Sequence, residues 1–188
     1  LLNGARQVGK STLALENFKN YLTFDDGELG LYAKENPKGF LKNLELPICL
    51  DEIQKVPTLL EYIKMHIDTN RVNGDFLLTG SSNVLDHKES KDTLAGRLCE
   101  LRLHPLSSKE KNDKPNENII EKLLARDFRL TKKDYSDEVC KHILDGGYPE
   151  ILELSGLPKD LWFTSYIATY IERDARDLAD IRDIDSFI

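Results

Sequence analysis

Leu1-Leu2-Asn3-Gly4-Ala5-Arg6-Gln7-Val8-Gly9-Lys10-Ser11-Thr12 opens the chain, an apolar pair running into a loop bracketed by two glycines. Gly4 to Ser11 fits G-x-x-x-x-G-K-[ST], the phosphate-binding loop, or Walker A motif. Glycines let the backbone turn so that successive N–H groups point inward at phosphate oxygens. The Lys10 ammonium is expected on the β and γ oxygens and the Ser11 hydroxyl on magnesium. A helix starting at Ser11 adds its positive N-terminal end. The expected nucleotide-binding residues are therefore Gly4, Ala5, Arg6, Gln7, Val8, Gly9, Lys10, Ser11 and Thr12. Leu1-Leu2 reads as the tail of the strand that such a loop must follow, paired on both sides in mid-sheet.

Some forty residues on, Ile48-Cys49-Leu50-Asp51-Glu52 is an apolar strand ending in two adjacent acids. In nucleotide hydrolases of this layout (Walker B), the first acid orients the magnesium shell and the second polarises the attacking water. Asp51 is thus the expected metal residue beside Ser11, and Glu52 the expected catalytic base. Thr79-Gly80-Ser81-Ser82-Asn83 follows the next apolar strand, where a polar side chain could touch the γ-phosphate or hold the water. Ser81 is the first choice there and Asn83 the second; the alternative is a Gly/Ser turn with backbone caps. Arg97, after Ala95-Gly96, is a candidate stabiliser of transition-state charge, against the alternative of an ordinary surface arginine.

Around these sites the pattern alternates strand and helix. Helices are expected at Ser11–Asn20, at Leu29–Phe40 with a break near Pro37-Lys38-Gly39, and at Thr58–Thr69, where Leu59, Leu60, Ile63 and Ile67 recur at helical spacing. Strands are expected at Tyr21–Phe24, Leu46–Leu50, Phe76–Thr79 and Arg97–Leu103. Strands separated by helices imply parallel pairing, hence an α/β layered sheet. Ser107–Asn118 reads as a polar loop, and from about Ile119 only helical patterns follow, with a sharp turn at Gly146-Gly147-Tyr148-Pro149. Leu161–Ala179 reads as one long helix whose Trp162, Tyr166 and Tyr170 should pack against protein rather than stand open.

Composition limits the rest. The 188 residues carry 26 Lys+Arg against 33 Asp+Glu, a formal charge of −7, which argues against coating nucleic acid by bulk positive charge. The chain has no long uncharged apolar run, so no membrane helix is expected. Cys49, Cys99 and Cys140 lie too far apart for a disulfide framework or a metal knuckle, which fits a reducing, cytoplasmic setting. His66, His87, His104 and His142 share no ligand spacing, so no metal is expected beyond nucleotide-bound magnesium. The start at Leu1 without Met, directly before a motif that needs a full strand, reads as a piece of a longer protein.

Taken together, Gly4–Ser11, Tyr21–Asp26, Leu50–Pro57 and Phe76–Asn83 resemble the AAA+ superfamily ATPases of bacteria and archaea that carry a C-terminal DUF4143 domain. Leu94–Arg97, Leu103–Ser107, Gly146–Glu150 and Tyr170–Asp174 extend the resemblance along the chain. It implies a five-stranded parallel sheet in which the acid strand does not follow the phosphate-loop strand directly. It also implies a helical lid, and then winged-helix and nuclease-like parts that this sequence lacks.

The resulting expectation is a P-loop NTPase core at 1–108, a helical lid at 109–160, and a helix at 161–188 leading into the missing DUF4143 domain. The expected reaction is magnesium-dependent hydrolysis of ATP at the γ-phosphate, with Glu52, Arg97 and Ser81 catalytic and ATP and Mg²⁺ as ligands. A nucleotide-gated switch with negligible turnover is the alternative, and the resemblance adds a DNA-handling or defence ATPase. A homo-oligomer is open, and nucleic acid would be met only through the missing domain.

Overall fold

In a computed structural model the chain is described at residues 1–80, 94, 96–112, 124–125 and 136–171. It divides into two units, Leu1–His104 and Pro105–Ile188.

The first unit is built on short, strongly apolar strands: β1 (Leu2–Gly4), β2 (Asn20–Thr23), β3 (Ile48–Asp51), β4 (Phe76–Leu78) and β5 (Leu101–Leu103). β2, β3 and β4 pair in parallel, as do β1 and β5, and a parallel bridge from Leu2 to Thr79 joins the two sets. The order across the sheet is therefore β5-β1-β4-β3-β2. Leu1 and Leu2 are buried, and β1 is paired on both sides, as a central strand leading into the loop should be. The expected α/β parallel sheet is thus the fold observed, with the acid strand β3 separated from β1 by β4.

Helices α1 (Lys10–Asn17), α2 (Gly27–Glu35), α3 (Pro37–Lys42) and α4 (Leu59–Asn70) cross over between the strands. The break expected near Pro37 falls at Asn36, whose side chain accepts from the Gly39 N–H while Pro37 opens α3. Asp26 caps α2 in the same way, accepting from the Glu28 and Leu29 amides. α4 buries Leu59, Leu60 and Ile63 against Phe24, Phe40, Leu50 and Ile53. Each of these side chains contributes about 1.5–3 kcal/mol by leaving water.

β5 is shorter than the strand expected at Arg97–Leu103. A turn closed by the Arg97 N–H on the Leu94 carbonyl occupies its first part. Leu101, at the sheet's edge, is exposed.

The second unit shows only helical elements among its described residues. These are a short 3₁₀ turn at Glu110–Asn112, α5 (Ser136–Asp145), a 3₁₀ turn at Pro149–Glu153, and α6 (Leu157–Tyr166) continuing as a π-helical turn over Ile167–Ile171. Lys111 Nζ donates to the Gly146 carbonyl, and Lys159 pairs with Asp145 at 2.7 Å. Trp162 stacks on Tyr166, and both meet Tyr148 with ring centroids 5.0–5.2 Å apart. Tyr170 closes on Tyr166 edge-on. The stripe expected to pack against protein is half-buried, with Trp162 and Tyr166 against Tyr148, the residue before the 3₁₀ turn at Pro149–Glu153. The remainder of the long helix expected at Leu161–Ala179 lies outside the described residues. No helix among the described residues is long and apolar enough to cross a membrane.

Candidate nucleotide site

All five strands run the same way, so their carboxyl ends share one edge, the usual seat of ligands in an open α/β sheet. Gly4, Asp51 and Thr79 all stand there. Gly4 has φ +155°, and a Cβ on it would sit 2.4 Å from the Leu103 carbonyl oxygen, so the loop leaves β1 where only glycine fits. Gln7 and Gly9 also take positive φ, and Gly9 is the residue before α1. A Cβ on Gly9 would meet nothing within 4 Å, so the mouth of the loop is open. The first amides of α1 have no side-chain cap and face this mouth.

Lys10 is only 6% exposed, and its Nζ donates to the Gly4 and Ala5 carbonyls at 3.0 and 2.7 Å. Burial lowers its pKa from the ordinary 10.5, and the negative charges of Glu52 and Asp51 work against that shift. A buried ammonium held by two neutral carbonyls and faced by acids is poised for anionic oxygens. Thr12 is exposed on the first turn of α1.

The Asp51 carboxylate is 3% exposed and surrounded by hydroxyl groups. Ser11 Oγ donates to its Oδ2 at 2.9 Å, Tyr21 OH donates to the same oxygen, and Thr79 Oγ1 donates to Oδ1. Because the Ser11 proton is spent on Asp51, the serine lone pairs are free for a cation. Burial, followed by the bond to Asp51, raises the Tyr21 pKa, so the phenol keeps its donating proton. On β3, Cys49 is buried and its thiol is pushed up to about 12, by burial first and Asp51 second.

Glu52 leaves the strand in a left-handed conformation, φ 58° and ψ 43°. Few residues other than glycine adopt that conformation without a reason to hold it. Its backbone N–H reaches Thr79 Oγ1 at 3.4 Å, and Gln54 Nε2 donates to its Oε2. The Gln54 Oε1 is buried with no hydrogen-bond partner.

Lys10, Ser11, Asp51 and Glu52 are therefore brought to one edge of the sheet. Arg97 is not. It precedes β5 at the opposite edge and pairs with Asp68 of α4 through Nε and Nη2. Ser81 and Asn83 lie outside the described residues. Tyr21, Thr79 and Gln54 are additions that the sequence reading did not select. Thr79 lies two residues before the expected Ser81, at the end of the apolar run Phe76–Thr79.

The residues suit a triphosphate with a divalent cation. Ser11 and Asp51 offer hard oxygen donors, as magnesium requires, and few enough to leave room for phosphate and water.

Two uncharacterised mycobacterial proteins, from Mycobacterium bovis and Mycobacterium tuberculosis, are each 27% identical to this chain over 183 residues. That match takes in 95% of the chain and 36% of each relative, so the chain spans about a third of their length. Among solved structures, the Orc1 protein of Aeropyrum pernix in complex with DNA matches with a TM-score of 0.39 and 18% identity, over 81% of this chain and 51% of that one. Residues 136–188 match a domain of unknown function, DUF8612, which the sequence reading did not anticipate. The AAA domain family model AAA_14 matches residues 1–112, more than half of the chain and all of the sheet just described. With that match and that sheet edge, the chain belongs to the AAA+ family of P-loop ATPases.

Proposed function

We propose that this chain binds ATP with magnesium at the β1–α1 loop and hydrolyses the γ-phosphate. The observation that carries this reading is the Ser11–Asp51 hydrogen bond, with Glu52 on the next residue. Amides of the loop and Lys10 would take the phosphate oxygens, with Lys10 exchanging its two carbonyl partners for charged ones. Ser11 and Asp51 would hold the magnesium, which when bound supplies positive charge against the β and γ oxygens. Glu52 orients a water and accepts its proton as the water oxygen attacks phosphorus and the bond to the leaving ADP oxygen breaks. Thr79 keeps both acids in place, donating to Asp51 and accepting from the Glu52 amide.

One observation favours the second reading, a nucleotide-held switch: Gln54 already occupies Glu52 Oε2. A partner or the rest of a longer chain would then have to free the carboxylate. The decisive variant is Glu52→Gln in the full-length protein. Its amide is nearly the same shape but cannot take a proton, so Mg-ATP affinity should persist while kcat falls about a hundredfold or more. Parent-like turnover in Glu52→Gln places the base elsewhere. No turnover in the parent itself selects the switch.

A further inference from the structure

Asp51 needs its carboxylate held at one angle. The bond from Ser11 Oγ to Asp51 Oδ2 fixes where the serine proton points and hence where its lone pairs face. The terminal torsion of an aspartate is broad, so a carboxylate with one donor on each oxygen still rocks. Here a third donor is present. The Tyr21 hydroxyl bonds to Oδ2, the oxygen that already accepts from Ser11. Ser11 comes from α1, Thr79 from the end of β4, and Tyr21 from β2 on the far side of β3, so three elements converge on one acid. The β2–β3 register provides the reach: Tyr21 pairs with Cys49 while Thr23 pairs with Asp51, so the ring spans diagonally to the strand end.

Resting on the magnesium–ATP reading above, we propose that Tyr21 is a positioning residue for the metal site. Its hydroxyl, bonded to Asp51 Oδ2, holds that carboxylate in the orientation that turns the Ser11 lone pairs toward the cation. Tyr21 acts on the site through Asp51, with the Ser11 hydroxyl beside it. Partners that orient metal ligands in this way typically account for about 10–100-fold in metal affinity.

The test is binding, measured on the full-length protein with a non-hydrolysable ATP analogue by calorimetry, first in EDTA and then across a magnesium titration. Tyr21→Phe keeps the ring and removes only the hydroxyl. The magnesium concentration needed for half of the affinity gain should rise about tenfold, while affinity in EDTA stays at the parent value. A magnesium requirement equal to the parent's overturns the proposal. So does an equal loss in both arms, which would make Tyr21 a packing residue. Asp51→Asn is the control on the underlying reading. If it moves the magnesium requirement and Tyr21→Phe does not, only the role of Tyr21 fails. If Asp51→Asn leaves the requirement unmoved, the metal site fails and the proposal with it.

Discussion

Replacing Gly4 by alanine should destabilise the chain more than the same change at Gly9, though both lie in one loop and both have positive φ. At Gly4 the new Cβ would stand 2.4 Å from the Leu103 carbonyl oxygen, about 1 Å inside ordinary contact. That oxygen belongs to β5, which is fixed by the Gly4–Leu103 pairing, so it cannot retreat without opening the β1–β5 ladder. Overlap of this kind costs about 1–3 kcal/mol, and left-handed backbone adds about 1–2 kcal/mol for an L-residue. At Gly9 the space is empty to 4 Å and only the backbone cost remains. In a chain of this length about 3 kcal/mol lowers Tm by about 6–12 °C, against about 2–8 °C for the backbone cost alone. Thermal melts of Gly4→Ala and Gly9→Ala beside the parent measure the difference. If Gly4→Ala melts no lower than Gly9→Ala, the β1–β5 register is wrong and the loop does not leave the sheet where we place it.

Lys10→Ala should cost about a hundredfold or more in Mg-ATP affinity, the worth of losing bonds from a buried cation to phosphate; binding within a few-fold of the parent removes the loop assignment. Alkaline pH should move two properties in opposite directions. Burial places the folded-state pKa of Lys10 below 10.5, so between the two values the unfolded chain holds a proton that the folded chain has lost. Stability of the ligand-free protein therefore gains with pH through that window, nucleotide affinity falls as the ammonium is lost, and Lys10→Met should erase the stability gain in urea melts at each pH. Thiol titration should find Cys99 and Cys140 reacting fast and Cys49 only after unfolding, because Cys49 is buried with its thiol pushed up to about 12. A third fast thiol would mean that β3 is open to solvent.

The parts of the site that were legible in the sequence are those whose constraint is local. Gly4, Gly9, Lys10 and Ser11 act through one loop, so their spacing is their geometry. Asp51 and Glu52 end an apolar run, and the end of a strand can be read without knowing its neighbours. Tyr21 could not be found this way, because an aromatic in a strand reads as packing and only the β2–β3 register aims its hydroxyl at Asp51. Thr79 was passed over for Ser81 because it counts as the last apolar-strand residue until its pairing with Leu2 and its bond to Asp51 are known. At Arg97 the local pattern runs out: the alternation at Leu98, Leu101 and Leu103 continues a strand back over a turn, and nothing in it tells that the guanidinium pairs with Asp68 of α4.

The stacked rings of the second unit give the chain a built-in reporter. Trp162 is the single tryptophan in the sequence, and it sits on Tyr166 beside Tyr148, in the unit that holds no phosphate loop. With no second indole in the sequence, its emission follows the packing of Tyr148, Trp162 and Tyr166 alone, and a shift in that emission on adding Mg-ATP would report a change in this ring cluster.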